Sequence, residues 1–118
     1  MPQVESGLVL FPRFTGLVGE DMDFTSLPVD VSKFSSAQLV LWRSAIVADG
    51  ADAVAEMHLE ESLDGEEWVS PTTTAVDPGA DTVRLMNYAF RLNWFRIRIK
   101  MTGDTNCLMS CWAEGVLR

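Results

Sequence analysis

Cations, histidine and cysteine are all scarce in this chain of 118 residues, and each scarcity closes a route. Nine Lys plus Arg stand against seventeen Asp plus Glu, a formal net charge of −8. A surface so short of positive charge repels phosphate backbones and anionic lipid, so neither nucleic acid nor membrane is an expected partner. There is one histidine, His58, and Glu56 and Glu60 flank it on the same strand face. No nucleophile motif such as a GxSxG elbow accompanies it, so the chain is not expected to be an enzyme. The two cysteines, Cys107 and Cys111, lie four positions apart in a segment of strand character. That spacing puts their Cα atoms about 13 Å apart, whereas a disulfide spans at most about 7 Å. Without CxxC spacing or a histidine partner they also make a poor zinc site. They read as buried or half-buried free thiols of a reducing compartment.

Other absences point the same way. No apolar run approaches the roughly 20 residues that span a bilayer. Met1 to Phe14 lacks the basic start and apolar centre of a secretory signal, so export by the usual route is not expected. Gly16 and Gly19 alone do not build a phosphate-cradling loop. The carboxylate groups Glu20-Asp21-Asp23, Asp49/Asp52 and Asp77/Asp81 lack EF-hand spacing, and Asp is a turn residue in its own right. Neither a metal nor a cofactor is expected.

What is present is the pattern of an all-β domain. Hydrophobic residues make up 47% and charged residues 22%, the balance of an ordinary globular protein. Breakers recur at short spacing: Gly7, Pro12, Gly16, Gly19, Pro28, Asp49-Gly50, Asp64-Gly65, Pro71, Asp77-Pro78-Gly79 and Gly103-Asp104. Between them lie β-branched and aromatic residues, the mark of a sandwich or barrel. In 53–61 the odd positions Ala53, Ala55, Met57 and Leu59 are apolar, with Glu56, His58 and Glu60 opposite. In 94–101 Phe95, Ile97, Ile99 and Met101 form one face and Arg96, Arg98 and Lys100 the other. Such alternation describes a sheet packed on one side and wet on the other. If these two strands are neighbours, their opposite charges meet across the ladder. Segment 37–47 reads as a central strand, 107–117 as the last strand, and the alanine-rich stretch 45–57 as a hairpin turn.

The four tryptophans are many for this length. Trp42 and Trp68 are assigned to the core, where a large ring buries most area. Trp94 and Trp112 fall on the polar faces of their strands and are divided between core and surface contact. One domain spans 1–118, with 1–20 set apart as an N-terminal arm held by the domain's own sheet or by a neighbouring chain.

The run Glu60-Glu61-Ser62-Leu63-Asp64-Gly65-Glu66-Glu67-Trp68 resembles the E-x-S-x-D-G-x-x-W hairpin of many β-sandwich modules, followed downstream by the strand Trp94 to Ile99. Small structural proteins of tailed bacteriophages and prophages are similar in this pair of segments, and discoidin-like carbohydrate-binding modules less so, being longer, signalled and often disulfide-tied. The stretch 28–41 also looks like an early strand pair of small virion sandwich proteins. The resemblance implies an antiparallel β-sandwich, jelly-roll-like, that is made in the host cytoplasm and resides in the virion. Its implied role is structural: a capsid decoration (cement) subunit, homo-oligomeric with a trimer as one form, contacting capsid or other virion proteins. The residues expected at such contacts are Leu8, Leu10, Phe11 and Phe14 of the arm, with Trp94, Arg96, Arg98 and Trp112. The alternative is a carbohydrate-binding module that stacks a sugar on Trp94 or Trp112.

Overall fold

The computed structural model describes residues 5–19, 22–48, 53–71, 75–102 and 107–118. Among these residues every regular element is a strand: β1 (Ser6–Gly19), β2 (Met22–Thr25), β3 (Val29–Asp30), β4 (Ser36–Arg43), β5 (Val54–Ser62), β6 (Trp68–Val69), β7 (Thr82–Ala89), β8 (Trp94–Thr102) and β9 (Cys107–Leu117). No helix of the described residues is long and apolar enough to cross a membrane.

Two antiparallel sheets face each other. Sheet A has the order β1-β9-β4-β7, and sheet B the order β2-β8-β5-β6 with β3 also on β8. β2 and β3 pair with successive parts of β8, so they act as one strand interrupted at Ser26-Leu27-Pro28. Counted that way, there are eight strands, four in each sheet, the arrangement of a jelly roll. Alternation builds the core. Leu39 and Leu41 of sheet A meet Met57, Leu59, Phe95, Ile97 and Ile99 of sheet B, all fully buried.

The alternating strands pair as their charges suggest. Glu56 lies opposite Lys100, His58 opposite Arg98, and Glu60 opposite Arg96. The turn at Asp64-Gly65 also forms. The Asp64 carboxylate accepts from the N–H groups of Glu66 and Glu67 at 2.9 and 3.0 Å, while Gly65 takes φ = 83°. Those two N–H groups, Glu67's first, hold the Asp64 carboxyl below its ordinary range.

Two expectations need correction. Segment 45–57 is not a hairpin turn, because β4 and β5 belong to opposite sheets and the chain crosses between them. Its turn residues Asp49 to Asp52 lie outside the described residues, as do Glu20, Asp21 and the Gly103-Asp104 turn. The strands within 28–41 do not pair either, since β3 lies in sheet B and β4 in sheet A. Residues 6–19, read as part of an arm, form edge strand β1 on β9, with Leu8, Leu10, Phe11 and Leu17 in the core. Of the two holders left open, the domain's own sheet is the one observed.

β1 is irregular. From Val9 to Phe11 it advances two residues while β9 retreats one, from Glu114 to Ala113. From Phe11 to Thr15 it advances four while β9 retreats two, from Ala113 to Cys111. The surplus residues around Pro12-Arg13-Phe14 bulge from the edge. The Thr15 hydroxyl donates to the Pro12 carbonyl at 2.6 Å, and Phe14 sits at φ = 60°, a left-handed conformation costly for an aromatic residue.

Candidate interaction surface

The outer faces of the two sheets differ in kind. Sheet B carries charge that is satisfied internally. The Glu60 carboxylate accepts from Arg96 Nε at 2.9 Å and from Arg98 Nε at 3.1 Å, and Arg98 also reaches Asp23 at 3.4 Å. The Arg96 guanidinium lies over the Trp68 ring, 4.2 Å from its centroid. His58 Nε2 is 3.1 Å from Glu56 Oε2. Arg96 and Arg98 are therefore engaged within the domain, in a network that water and salt screen but do not need to complete.

Sheet A turns an apolar face outward. Following the register across β1, β9, β4 and β7, one row reads Val9, Glu114, Val40, Leu85, and the next Trp112, Trp42, Val83. A further row holds Val18, Leu108 and Val47. Of these, Val9, Val18, Val47, Val83, Leu85 and Leu108 are exposed. Among the described residues of these rows Glu114 is the one charged side chain, and Arg13 neutralises it with Nε 2.6 Å from its Oε1. An antiparallel sheet ordinarily sets polar residues on its solvent side. Apolar patches of this kind on small domains are often places of contact with another molecule.

Its centre is aromatic. The Trp42 and Trp112 rings stack at 6.4 Å with 17° between planes, Phe14 meets Trp42 edge-on at 5.6 Å, and Arg13 lies 4.5 Å over Trp112. The β1 bulge sets Arg13 and Phe14 against this pair, and the strained Phe14 leaves 68% of its surface in solvent. Backbone strain that holds an apolar ring out in water is a pattern of binding sites. Beside it, Gly16, Ser44, Ala45, Val47, Leu108 and Ser110 line a shallow depression of about 220 Å³. A Cβ at Gly16 would meet nothing within 4 Å, so the depression is open above it.

The expected contact residues divide. Leu8, Leu10 and Phe11 are buried in the domain's own core and cannot meet a partner in this fold. Phe14 is exposed. Trp112 does lie on the outer face, but only 7% of it is accessible beneath Trp42 and Arg13. Trp94 is half-buried, its indole 3.6 Å from where a Gly65 Cβ would stand. Trp42 and Trp68, assigned to the core, sit half-buried on the outer faces of sheets A and B; neither is part of the core cluster. Sequence reasoning missed Arg13, Val83 and Leu85. The pair Val83 and Leu85 was legible as alternation in Thr82–Ala89, whereas Arg13 owes its place to a bulge with no local signature.

Both cysteines are buried on inner positions of β9, and burial pushes the Cys111 thiol up to about 12. Of the carboxylate loops, Asp77 is held by Arg43 at 2.7 and 3.0 Å, and that bond keeps its carboxyl below the ordinary range. No group of three or more His, Cys, Asp or Glu suited to a metal ion occurs among the described residues.

No protein-family model matches the chain. No curated protein matches it either. A solved structure does: a chain in the structure of infectious bursal disease virus, Gx strain, aligns with a TM-score of 0.62 at 9% identity. The alignment covers 97% of this chain and 32% of that one, so the protein spans about a third of its neighbour's length. At that identity the likeness is one of fold: an all-β antiparallel sandwich of jelly-roll type.

Proposed function

We propose that this protein is a non-catalytic structural component of a virion, and specifically a decoration subunit that clamps a bacteriophage head through the outer face of sheet A. The observation that carries this reading is the uncovered apolar face with its aromatic centre and neutralised ion pair. The fold likeness to a chain of a virus structure supports the setting, and the hairpin resemblance supports the phage. Four strands about 4.8 Å apart, each about eight residues long, give a face of roughly 500 Å². Matched by a partner, that is about 1,000 Å² in total, near the lower limit for a specific interface. Such a contact is weak alone and strong when repeated over a lattice or joined between copies. A shell of many identical sites suits it.

The carbohydrate reading is less well supported, because Trp112 is covered and Trp94 is half-buried against the Gly65 turn. Particles purified from the source of the chain provide the test. The chain is expected to co-sediment with the heads and to raise the temperature at which they open. Gly16→Leu, which fills the depression in open space, and Leu108→Asp are each expected to leave the domain folded and release it from the particle. Absence of the protein from purified particles, with no binding to added heads, would overturn the proposal.

A further inference from the structure

A β-sandwich has four sheet edges, and a bare edge offers unpaired backbone groups to any passing strand. Three edges here are blunted. β1 is bent by two register irregularities and carries Pro12 at the bulge. β6 is two residues long, and beside it Ser70 and Val76 bond to the β5 carbonyls of Leu59 and Met57. β2 and β3 are interrupted at Ser26-Leu27-Pro28, where the Ser26 hydroxyl accepts from the Ile97 N–H at 2.9 Å.

The fourth edge is different. β7 pairs with β4 through eight consecutive residues without a shift, from Ser36 opposite Ala89 to Arg43 opposite Thr82. It is the terminal strand of sheet A among the described residues. Its sequence, TVRLMNYA, has no proline, glycine or lysine, and Val83 and Leu85 are 58% and 63% exposed. About half of its residues turn both N–H and C=O away from β4. Arg84 is the one charged residue on it, and proline, a bulge and a covering strand are absent among the described residues.

We infer that β7 joins β7 of a second copy in antiparallel fashion about a two-fold axis, making one continuous eight-stranded sheet from two copies of sheet A. Pairing about a two-fold requires residues opposite each other to lie on the same face, which limits the registers. A two-fold at Arg84 would set like charges opposite each other. A two-fold at Leu85 sets Leu85 against itself, Val83 against Asn87, and Arg84 against Met86, with no like charge directly opposed. β7 has no carboxylate, so the net charge of −8 that otherwise drives copies apart is not concentrated there. The Leu85 row of the outer face then runs on into the same row of the second copy, while the Val83 row meets Asn87 and Gln38. This inference does not rest on the virion reading and survives its failure.

Sedimentation of the purified chain from micromolar to submillimolar concentration is expected to show a monomer–dimer equilibrium. Leu85→Lys, which places two ammonium groups at the axis, is expected to weaken the dimer roughly tenfold or more while the urea midpoint is kept. Leu85→Cys is expected to form a disulfide-linked dimer on mild oxidation, since the native cysteines are buried and silent. Val18→Cys, on the same outer face but beside β9's far side, is expected to stay monomeric under the same oxidation. A chain that is monomeric throughout and uncrosslinked at Leu85 overturns the inference. So does a dimer that Leu85→Lys leaves intact, or one that crosslinks through Val18→Cys instead.

Discussion

Replacing Glu61 by alanine takes away a carboxylate shared by three donors at the seam between the sheets. Glu61 is fully buried on the inner side of β5. Its Oε2 accepts from the Tyr88 hydroxyl of β7 at 2.6 Å, and its Oε1 from the N–H groups of Arg91 and Leu92 at 2.7 and 2.9 Å. Sheet B is thereby tied to sheet A and to the turn that leads into β8. Alanine strands a hydroxyl and two amides in partly dry surroundings, at about 1–3 kcal/mol each. With relaxation and some entry of water we expect a loss near the low end of the sum, about 4 kcal/mol. For a chain of this size that is a fall of roughly 15 °C in Tm.

Glutamine keeps the shape. Its carbonyl serves the two amides, and its NH₂ faces the Tyr88 oxygen, which accepts in turn. Only charge assistance is lost, about 1–2 kcal/mol. Tyr88→Phe keeps the ring against Phe90 and Phe95 and removes one bond, leaving Oε2 without that donor, for about 2 kcal/mol. The assay is urea unfolding at constant m-value, with the Glu61→Gln/Tyr88→Phe double variant closing the cycle. The reasoning fails if Glu61→Ala stays within about 1 kcal/mol of the parent, or if glutamine costs as much as alanine.

Further tests address other parts of the fold. Gly115→Ala brings a methyl group onto the β4 backbone, 3.1 Å from the Gln38 carbonyl carbon and 3.3 Å from the Leu39 Cα. A destabilisation of about 2–3 kcal/mol in urea is expected, because backbone cannot step aside as a side chain can. Neither Cys107 nor Cys111 should react with a thiol reagent in native buffer, and both should in denaturant. Cys111 is raised from its ordinary 9.0 to about 12 by burial, so its stability contribution is complete below pH 9 and fades as pH climbs toward 12. Cys111→Ala should flatten the alkaline slope of unfolding free energy by up to about 1.4 kcal/mol per pH unit. Phe14→Gly relieves a left-handed conformation but gives up the contact with Trp42. Its stability should change by less than about 1 kcal/mol, while binding to heads falls.

Legibility in the sequence followed the range of the interaction. Period-two alternation in 94–101 and 53–61 exposed both faces of two strands, and complementary charges on the polar faces made them neighbours. Asp64-Gly65 is a turn whose chemistry is complete within five residues. Glu61 was legible in principle, since it continues the odd-numbered apolar face of β5, and a carboxylate there must find donors. Whether a turn joins partners or passes the chain to another sheet is not encoded locally, which is why 45–57 looked like a hairpin. The tryptophans misled for a related reason. Trp42 and Trp68 are large and apolar, but their parity puts them outside, and what covers them comes from β9 and β8. Leu8, Leu10 and Phe11 looked available only because the bulges of β1 hide its alternation.

The bulge at Pro12-Arg13-Phe14 has a consequence for how far assembly can run. A sheet open at both ends has two sticky termini and grows without limit, as fibres do. Kinking β1 leaves sheet A with a valence of one. Edge pairing then stops at two copies, and any larger order must be dictated by the template to which the pair adheres. Straightening the bulge by deleting two residues would restore the second terminus. Filaments of the deletion variant, absent from the parent, would be its visible sign.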